Sequence, residues 1–138
     1  MFRTLPRVWF SEVQSYLFQQ YFFIELVSIC LVMMARYSIG FGSTYEIGLP
    51  CFSLALLLLN AFYCSPIIIS LQEKRFKIEN DLGLDTPNQI AADADLKPLE
   101  KNEQYQLLWS KFRKMHGLSS VANLLFFLSN ITYACVVA

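Results

Sequence analysis

The sequence has little charge for its length. Only 16% of its 138 residues are charged, whereas a soluble domain usually carries about 25%. The deficit is uneven, because 16 of the 22 acidic and basic residues lie between Gln72 and Gly117. Hydrophobic residues make up 55% of the chain, and the mean hydropathy is +0.40. This pattern excludes an ordinary soluble domain and indicates a chain that meets both lipid and water.

Residues that carry enzyme or metal chemistry are also scarce. His116 is the only histidine, and the four cysteines form neither a CxxC pair nor a Cys/His ligand spacing. The sequence contains no nucleophile–base arrangement and no glycine-rich phosphate loop. Its net charge is zero, so the overall field gives no reason to expect nucleic acid. We therefore expect no enzyme activity, no metal or other cofactor, and no nucleic-acid partner.

Three apolar stretches are long enough to cross a bilayer as helices. They cover about residues 17–35, 47–71 and 118–138, and about 20 residues at 1.5 Å each cross the hydrocarbon layer. Glu25, near the centre of the first stretch, costs on the order of 3 kcal/mol, which the surrounding apolar residues outweigh. Pro66 predicts a kink in the second stretch, near residues 62–66. The predicted fold is an all-α membrane protein with three transmembrane helices in a single transmembrane domain.

A polar loop, residues 72–117, joins the second and third stretches. Its middle, residues 80–103, has almost no large apolar side chain and predicts disorder. Four apolar residues then recur at helical spacing: Tyr105, Leu108, Phe112 and Met115. This periodicity predicts a membrane-proximal amphipathic helix before the third span.

The lysines and arginines predict the orientation of the chain. With three spans, the N-terminus and the long loop share one side and hold ten of these residues, whereas the other side holds only Arg36. The positive-inside rule then places the loop in the cytosol. It leaves open which membrane holds the protein, an endomembrane or the plasma membrane. Trp9, Arg113, Lys114 and His116 are expected at the membrane interface.

Polar side chains inside the spans are the candidate functional residues: Glu25, Asn60, Ser120, Asn123 and Asn130. Ser120, Asn123 and Asn130 share one face of the third span. One interpretation is helix packing, in a non-enzymatic protein whose partners are the bilayer, a second copy of itself or other membrane proteins. The alternative is a small transporter or channel component, in which these residues line a polar path through the membrane.

Two blocks of sequence resemble the transmembrane protein 205 family. They are residues 2–7 (FRTLPR) and residues 112–124 (FRKMHGLSSVANL), and Asn60, Ala61 and Pro66 fit the segment between them. The resemblance implies a partial four-helix membrane bundle with no settled reaction. The first hydrophobic helix of the family has no counterpart here, which implies a truncated gene model, a splice form or a three-pass member. Glu25 stands where the family has a neutral residue.

Overall fold

A computed structural model of the chain describes residues 7–40, 43–84 and 97–137, with backbone only at residues 7, 8, 10 and 97. Its elements are helical, in the following order: α1 (Arg7–Ile39), α2 (Thr44–Leu58), a π-helical segment (Leu59–Cys64), α3 (Ser65–Asp81), a single turn α4 (Lys97–Glu100) and α5 (Glu103–Val137). Three continuous helices are long and apolar enough to cross a membrane: Ser11–Ile39, Thr44–Asp81 and Glu103–Val137. The predicted all-α fold with three such helices is confirmed.

The helices divide into two compact units. The apolar unit comprises the described residues of Gln19–Ser65 and Gly117–Ala138, and the polar unit comprises those of Met1–Phe18 and Pro66–His116. The apolar unit therefore holds most of the predicted spans, and the polar unit holds most of the charged residues.

The core of the apolar unit follows a repeat of seven residues. Its central cluster is formed by Phe22, Ile29, Leu57 and Phe126. Along α2 and the π-helical segment, the buried residues are spaced four, three, four, three and four apart: Glu46, Pro50, Ser53, Leu57, Asn60 and Cys64. Spacings that alternate between four and three repeat every seven residues and keep one face against a neighbouring helix. Several buried residues are small or polar, as in helices that pack closely within lipid.

The outer surface of the apolar unit is made of large apolar side chains. Phe62 is 74% exposed, Phe127 is 61% exposed and Leu124 is 57% exposed. A water-soluble protein rarely leaves so extensive an apolar surface uncovered. Lipid is the solvent that suits this surface.

Pro66 coincides with a change in helix type. The π-helical segment Leu59–Cys64 lies just before it, and the backbone N–H of Ser65 bonds to the carbonyl oxygen of Asn60, five residues earlier. Proline has no N–H for the carbonyl four residues before it and clashes with that turn. The sequence predicts a kink at residues 62–66, and the structure has this widened turn at residues 59–64.

In the polar unit the helices extend beyond the predicted spans. α3 continues ten residues past Leu71, and α5 begins at Glu103, fifteen residues before Leu118. The predicted amphipathic segment is thus continuous with the third span, because nothing in its sequence breaks the helix. Asn102 caps α5, since its Oδ1 accepts a hydrogen bond from the backbone N–H of Tyr105 at 2.9 Å. Of the segment predicted to be disordered, residues 85–96 lie outside the described residues.

Candidate functional site

Two predicted site residues from different helices, Asn60 and Asn123, meet inside the apolar unit. Asn60 is 1% exposed. Its Nδ2 donates hydrogen bonds to Asn123 Oδ1 at 2.6 Å and to the Ser119 carbonyl oxygen at 3.1 Å. A second bond between helices runs from Ser129 Oγ to the Leu49 carbonyl oxygen, at 3.2 Å. The second and third spanning helices are therefore joined by hydrogen bonds as well as by apolar contact.

The other predicted intramembrane residues are placed differently. Asn130 is half-buried, and its Nδ2 donates to the Phe126 carbonyl oxygen of its own helix at 2.9 Å. Glu25 is half-buried on α1, and Ser120 is exposed. The most buried face of α5 runs through Ala122, Phe126 and Ser129 instead of Ser120. The packed face is offset by about one residue from the predicted face, because Phe126 packs into the central cluster with Phe22, Ile29 and Leu57.

Exposed hydroxyl groups in the apolar unit bond to their own backbone. Each of three side chains donates to the carbonyl oxygen four residues earlier: Ser28 at 2.8 Å, Ser38 at 3.1 Å and Thr132 at 2.9 Å. This local bond satisfies a hydroxyl where no water is present. These residues can therefore face lipid without marking a site.

An ion pair links the ends of α1 and α2 that face each other across the short connection. Arg36 Nη2 bonds to Glu46 Oε2, and Glu46 is 8% exposed. Gly40 forms the turn between them with a φ of +90°, a conformation that suits glycine. Its N–H donates to the Arg36 carbonyl oxygen at 2.9 Å. The ion pair thus neutralises both charges at the tip of the hairpin.

The polar unit has a buried charged cluster formed by Arg75, Glu79 and Tyr105. Arg75 is 6% exposed and Glu79 is fully buried. The Tyr105 hydroxyl donates to Glu79 Oε1 at 2.7 Å and accepts a hydrogen bond from Arg75 Nη2 at 2.9 Å. Arg75 Nη2 also lies 3.8 Å from Glu79 Oε1. Burial raises the pKa of the Tyr105 phenol, so it stays protonated and able to donate at neutral pH.

Aromatic rings of α5 surround the Arg75 guanidinium. Its Cζ lies 4.1 Å from the centroid of the Trp109 ring, 5.0 Å from that of Phe112 and 5.2 Å from that of Tyr105. Each contact is within the range of a cation–π interaction, which is worth about 2 kcal/mol when desolvated. The arginine therefore binds its own chain through charge, hydrogen bonds and rings together, and it fixes the start of α5 against α3.

The four residues predicted at the membrane interface all belong to the polar unit. Trp9 is 56% exposed, and Lys114 is exposed. Arg113 is also exposed, and its Cζ lies 5.9 Å from the Trp109 ring centroid. The His116 ring stacks on Phe112, with centroids 5.6 Å apart. This side chain has a packing role within the polar unit.

Sequence reasoning did not single out Arg75, Glu79 or the Arg36–Glu46 pair. Charged residues are mostly exposed, so burial of a given one has no strong signal in a single sequence. The signals present were the i, i+4 spacing of Arg75 and Glu79 and the aromatic residues near Tyr105. Within the three described ranges, no three histidine, cysteine, aspartate or glutamate side chains are grouped to hold a metal ion.

Comparison with known proteins gives a family for this chain. No solved structure matches it. A family described as a domain of unknown function, DUF4149, matches residues 1–77. The matched region includes Arg36, Glu46, Asn60 and Arg75, whereas Tyr105 and Asn123 lie beyond it. Because the match covers more than half of the sequence, the chain belongs to the DUF4149 family.

Proposed function

We propose that this protein is a non-enzymatic, multi-pass membrane protein of an endomembrane or the plasma membrane, acting through contacts of its helices with a second copy or with other membrane proteins. The observation that carries the proposal is the Asn60–Asn123 hydrogen bond at 2.6 Å in a unit with an apolar outer surface. Polar groups that bond between helices of one chain serve its internal packing, and the exposed apolar side chains leave an outer surface for contacts with other helices. The resemblance of residues 112–124 to the transmembrane protein 205 family supports the multi-pass membrane architecture.

The orientation belongs to the same proposal. The long loop and the N-terminus face the cytosol, with Trp9, Arg113, Lys114 and His116 near the headgroups. The support is the excess of lysine and arginine: the N-terminus and the long loop hold ten of these residues, and the other side holds one. The exposure of Trp9 and Lys114 agrees with a position at this boundary.

A transporter or channel component is the second candidate function. Two buried oxygen atoms favour it, Ser53 Oγ and Asn60 Oδ1, because neither has a hydrogen-bond partner in the described part of the chain. Buried polar atoms of this kind bind water when there is room for it. Glu25, half-buried in the same unit, would be the titratable member of such a path.

One pair of measurements separates the two functions. The protein is reconstituted into vesicles, where proton flux is recorded for wild type and Glu25→Gln, and its mass is measured in a mild detergent. Assembly predicts a complex heavier than one 15.9 kDa chain and the same background flux in both proteins. A single-chain particle whose flux is lost in Glu25→Gln would replace the assembly proposal with the transporter.

A further inference from the structure

A cleft opens in the polar unit between the first turns of α1 and the middle of α3. Its volume is about 410 Å³, within the range of about 300–1,000 Å³ that holds small ligands. The α1 wall consists of Ser11, Glu12 and Ser15. The α3 wall consists of Ile69, Gln72, Glu73 and Phe76. None of the roles described above uses this cleft.

The described lining of the cleft carries negative charge, because two of these seven residues are acidic and none of the seven is basic. Glu12 and Glu73 are both exposed, one on each wall. In the described part of the chain, neither carboxylate has an ion-pair or hydrogen-bond partner. Lys77 lies one turn beyond Glu73 but does not pair with it. Two unpaired carboxylates on facing helices favour a ligand that carries positive charge.

The remaining lining residues add a second kind of contact. Ser11, Ser15 and Gln72 can donate hydrogen bonds from hydroxyl and amide groups. Neutral donors of this kind hydrogen-bond to phosphate oxygens in nucleic-acid complexes. Phe76 adds an aromatic ring, which attracts an ammonium group through its face. The cleft therefore suits a ligand in which an ammonium and a phosphate lie close together.

The cleft also lies at the boundary between apolar and polar sequence on both walls. Ser11 and Ser15 precede the predicted first span, which begins at residue 17, by two to six residues or about 3–9 Å of helix. On the other wall, Ile69 belongs to the predicted second span, and Glu73 follows the end of that span at residue 71. Lipid headgroups occupy this depth of a bilayer.

From this arrangement we propose that the cleft binds a primary ammonium next to a phosphate, the chemistry of an aminophospholipid headgroup or of free phosphoethanolamine. Glu12 and Glu73 hold the ammonium, while the Ser11 and Ser15 hydroxyls and the Gln72 amide bond to the phosphate oxygens. The site is a further function of the protein and does not depend on whether the helices assemble with a partner.

The test measures binding of two probes to the purified full chain in detergent: short-chain phosphatidylethanolamine and soluble phosphoethanolamine. The variant Glu12→Gln/Glu73→Gln keeps the shape of the cleft and removes both charges. We expect its affinity to fall by about tenfold or more, as for loss of charge-assisted hydrogen bonds. The matched control, Asp81→Asn/Glu103→Gln, removes the same charge from two exposed residues outside the cleft and should bind like wild type.

The two probes identify the source of the ligand. If wild type binds only the lipid, the ligand is a membrane headgroup; if it also binds phosphoethanolamine with a similar affinity, the soluble compound suffices. In either case phosphatidylcholine should bind less tightly, since its trimethylated nitrogen cannot donate hydrogen bonds to Glu12 and Glu73. Equal binding by wild type and the Gln variant, or no binding of either probe by wild type, would overturn the proposal.

A second variant guards against an indirect effect of the charge change. Ser15→Leu leaves both carboxylates in place and fills part of the cleft with an apolar side chain. We expect it to weaken binding as well, with an unchanged helical circular dichroism spectrum. Full binding by Ser15→Leu would show that the ligand sits elsewhere.

Discussion

Asn60 uses both hydrogens of its side-chain amide inside the apolar unit, one for Asn123 and one for the Ser119 backbone. The value of such a bond within lipid is moderate, about 0.6 kcal/mol on average and up to about 1.7. Its main effect is on the specificity of helix packing, because in any other arrangement within the bilayer the Asn60 amide would lack its hydrogen-bond acceptors. The bond therefore fixes which faces of the two helices meet.

We predict that Asn60 and Asn123 are energetically coupled. In a double-mutant cycle with Asn60→Leu and Asn123→Leu, the coupling should be about 0.6–1.7 kcal/mol, measured by reversible unfolding in mixed detergent micelles. The control cycle pairs Asn60→Leu with Asn130→Leu, whose amide bonds to its own helix. That coupling should stay below about 0.5 kcal/mol. Equal coupling in the two cycles would contradict a direct bond.

The Tyr105 hydroxyl joins Arg75 and Glu79 in the polar unit. Tyr105→Phe removes one atom and leaves a buried carboxylate and a buried guanidinium each short of a hydrogen bond. We predict a loss of about 1–3 kcal/mol in the free energy of unfolding. The matched control is Tyr16→Phe, at a side chain that is 62% exposed, which should change stability by less than about 0.5 kcal/mol. Similar losses in both variants would argue against the hydrogen-bond network.

Residues of these two networks differed in how well the sequence predicted them. Asn60 and Asn123 were evident as candidates because an amide in an apolar stretch is unusual, although the sequence alone could not show that they touch. Arg75 and Glu79 were not evident because they stand in a polar segment where charge is ordinary. Their burial depends on Tyr105 and Trp109, about 30 residues further along the chain, and contacts of that range have no local signature.

At the scale of elements, the end of α3 is defined by a glycine. Gly83 has a φ of +67°, its N–H bonds to the Asn80 carbonyl oxygen at 2.9 Å, and the Leu84 N–H bonds to the Glu79 carbonyl oxygen at 2.9 Å. This is the Schellman pattern, which satisfies the last carbonyl groups of a helix. Gly83 therefore ends α3 at a position where the hydropathy pattern does not predict a helix end.

Gly83→Ala is predicted to destabilise the protein by about 1 kcal/mol, because a Cβ disfavours the left-handed conformation. No atom lies within 4 Å of where that Cβ would be, so the cost comes from the backbone alone. The control is Gly48→Ala within α2, where space is equally open and the conformation is helical. That change should stabilise by about 0.5–1 kcal/mol. If both variants shifted the midpoint of thermal unfolding in the same direction, the left-handed conformation of Gly83 would not be the cause.

The packed face of α5 gives a second prediction for an element. Ala122 is 3% exposed on that face, so Ala122→Leu should overfill the contact and cost about 1–3 kcal/mol in unfolding free energy. Ala134→Leu adds the same atoms at an exposed position of the same helix and should have little effect. Ala134 lies one turn beyond Asn130, on the face predicted from sequence, so a more damaging Ala134→Leu would indicate that this face is the packed one instead.

Hydropathy predicted the number of spanning helices because each span is a local property of about 20 residues. It did not predict where the helices end. Lipid requires apolar residues, but a helix continues into water wherever packing supports it, as Arg75 and the aromatic residues do for α3 and α5. The π-helical turn before Pro66 is a similar case. The proline shows where the regular helix is disturbed, but the sequence does not show that the turn widens into a π-helix.

For the molecule as a whole, one prediction concerns its partition and orientation. The chain should stay with membranes after extraction at alkaline pH, since its apolar unit exposes residues such as Phe62 to the solvent. An epitope inserted within residues 85–96 should react with antibody once the plasma membrane alone is permeabilised. Recovery in the aqueous supernatant would exclude spanning helices, and an epitope accessible only from the lumen would reverse the orientation.

The Arg36–Glu46 pair also affects how the chain enters a membrane during synthesis. An isolated charge crossing hydrocarbon is costly, whereas a neutralised pair is much less so. The two side chains are ten residues apart across the Gly40 turn, so they can meet as soon as α1 and the start of α2 have formed. We therefore expect the first two helices to be inserted together as one folded hairpin, so that Arg36 and Glu46 cross the bilayer as a pair.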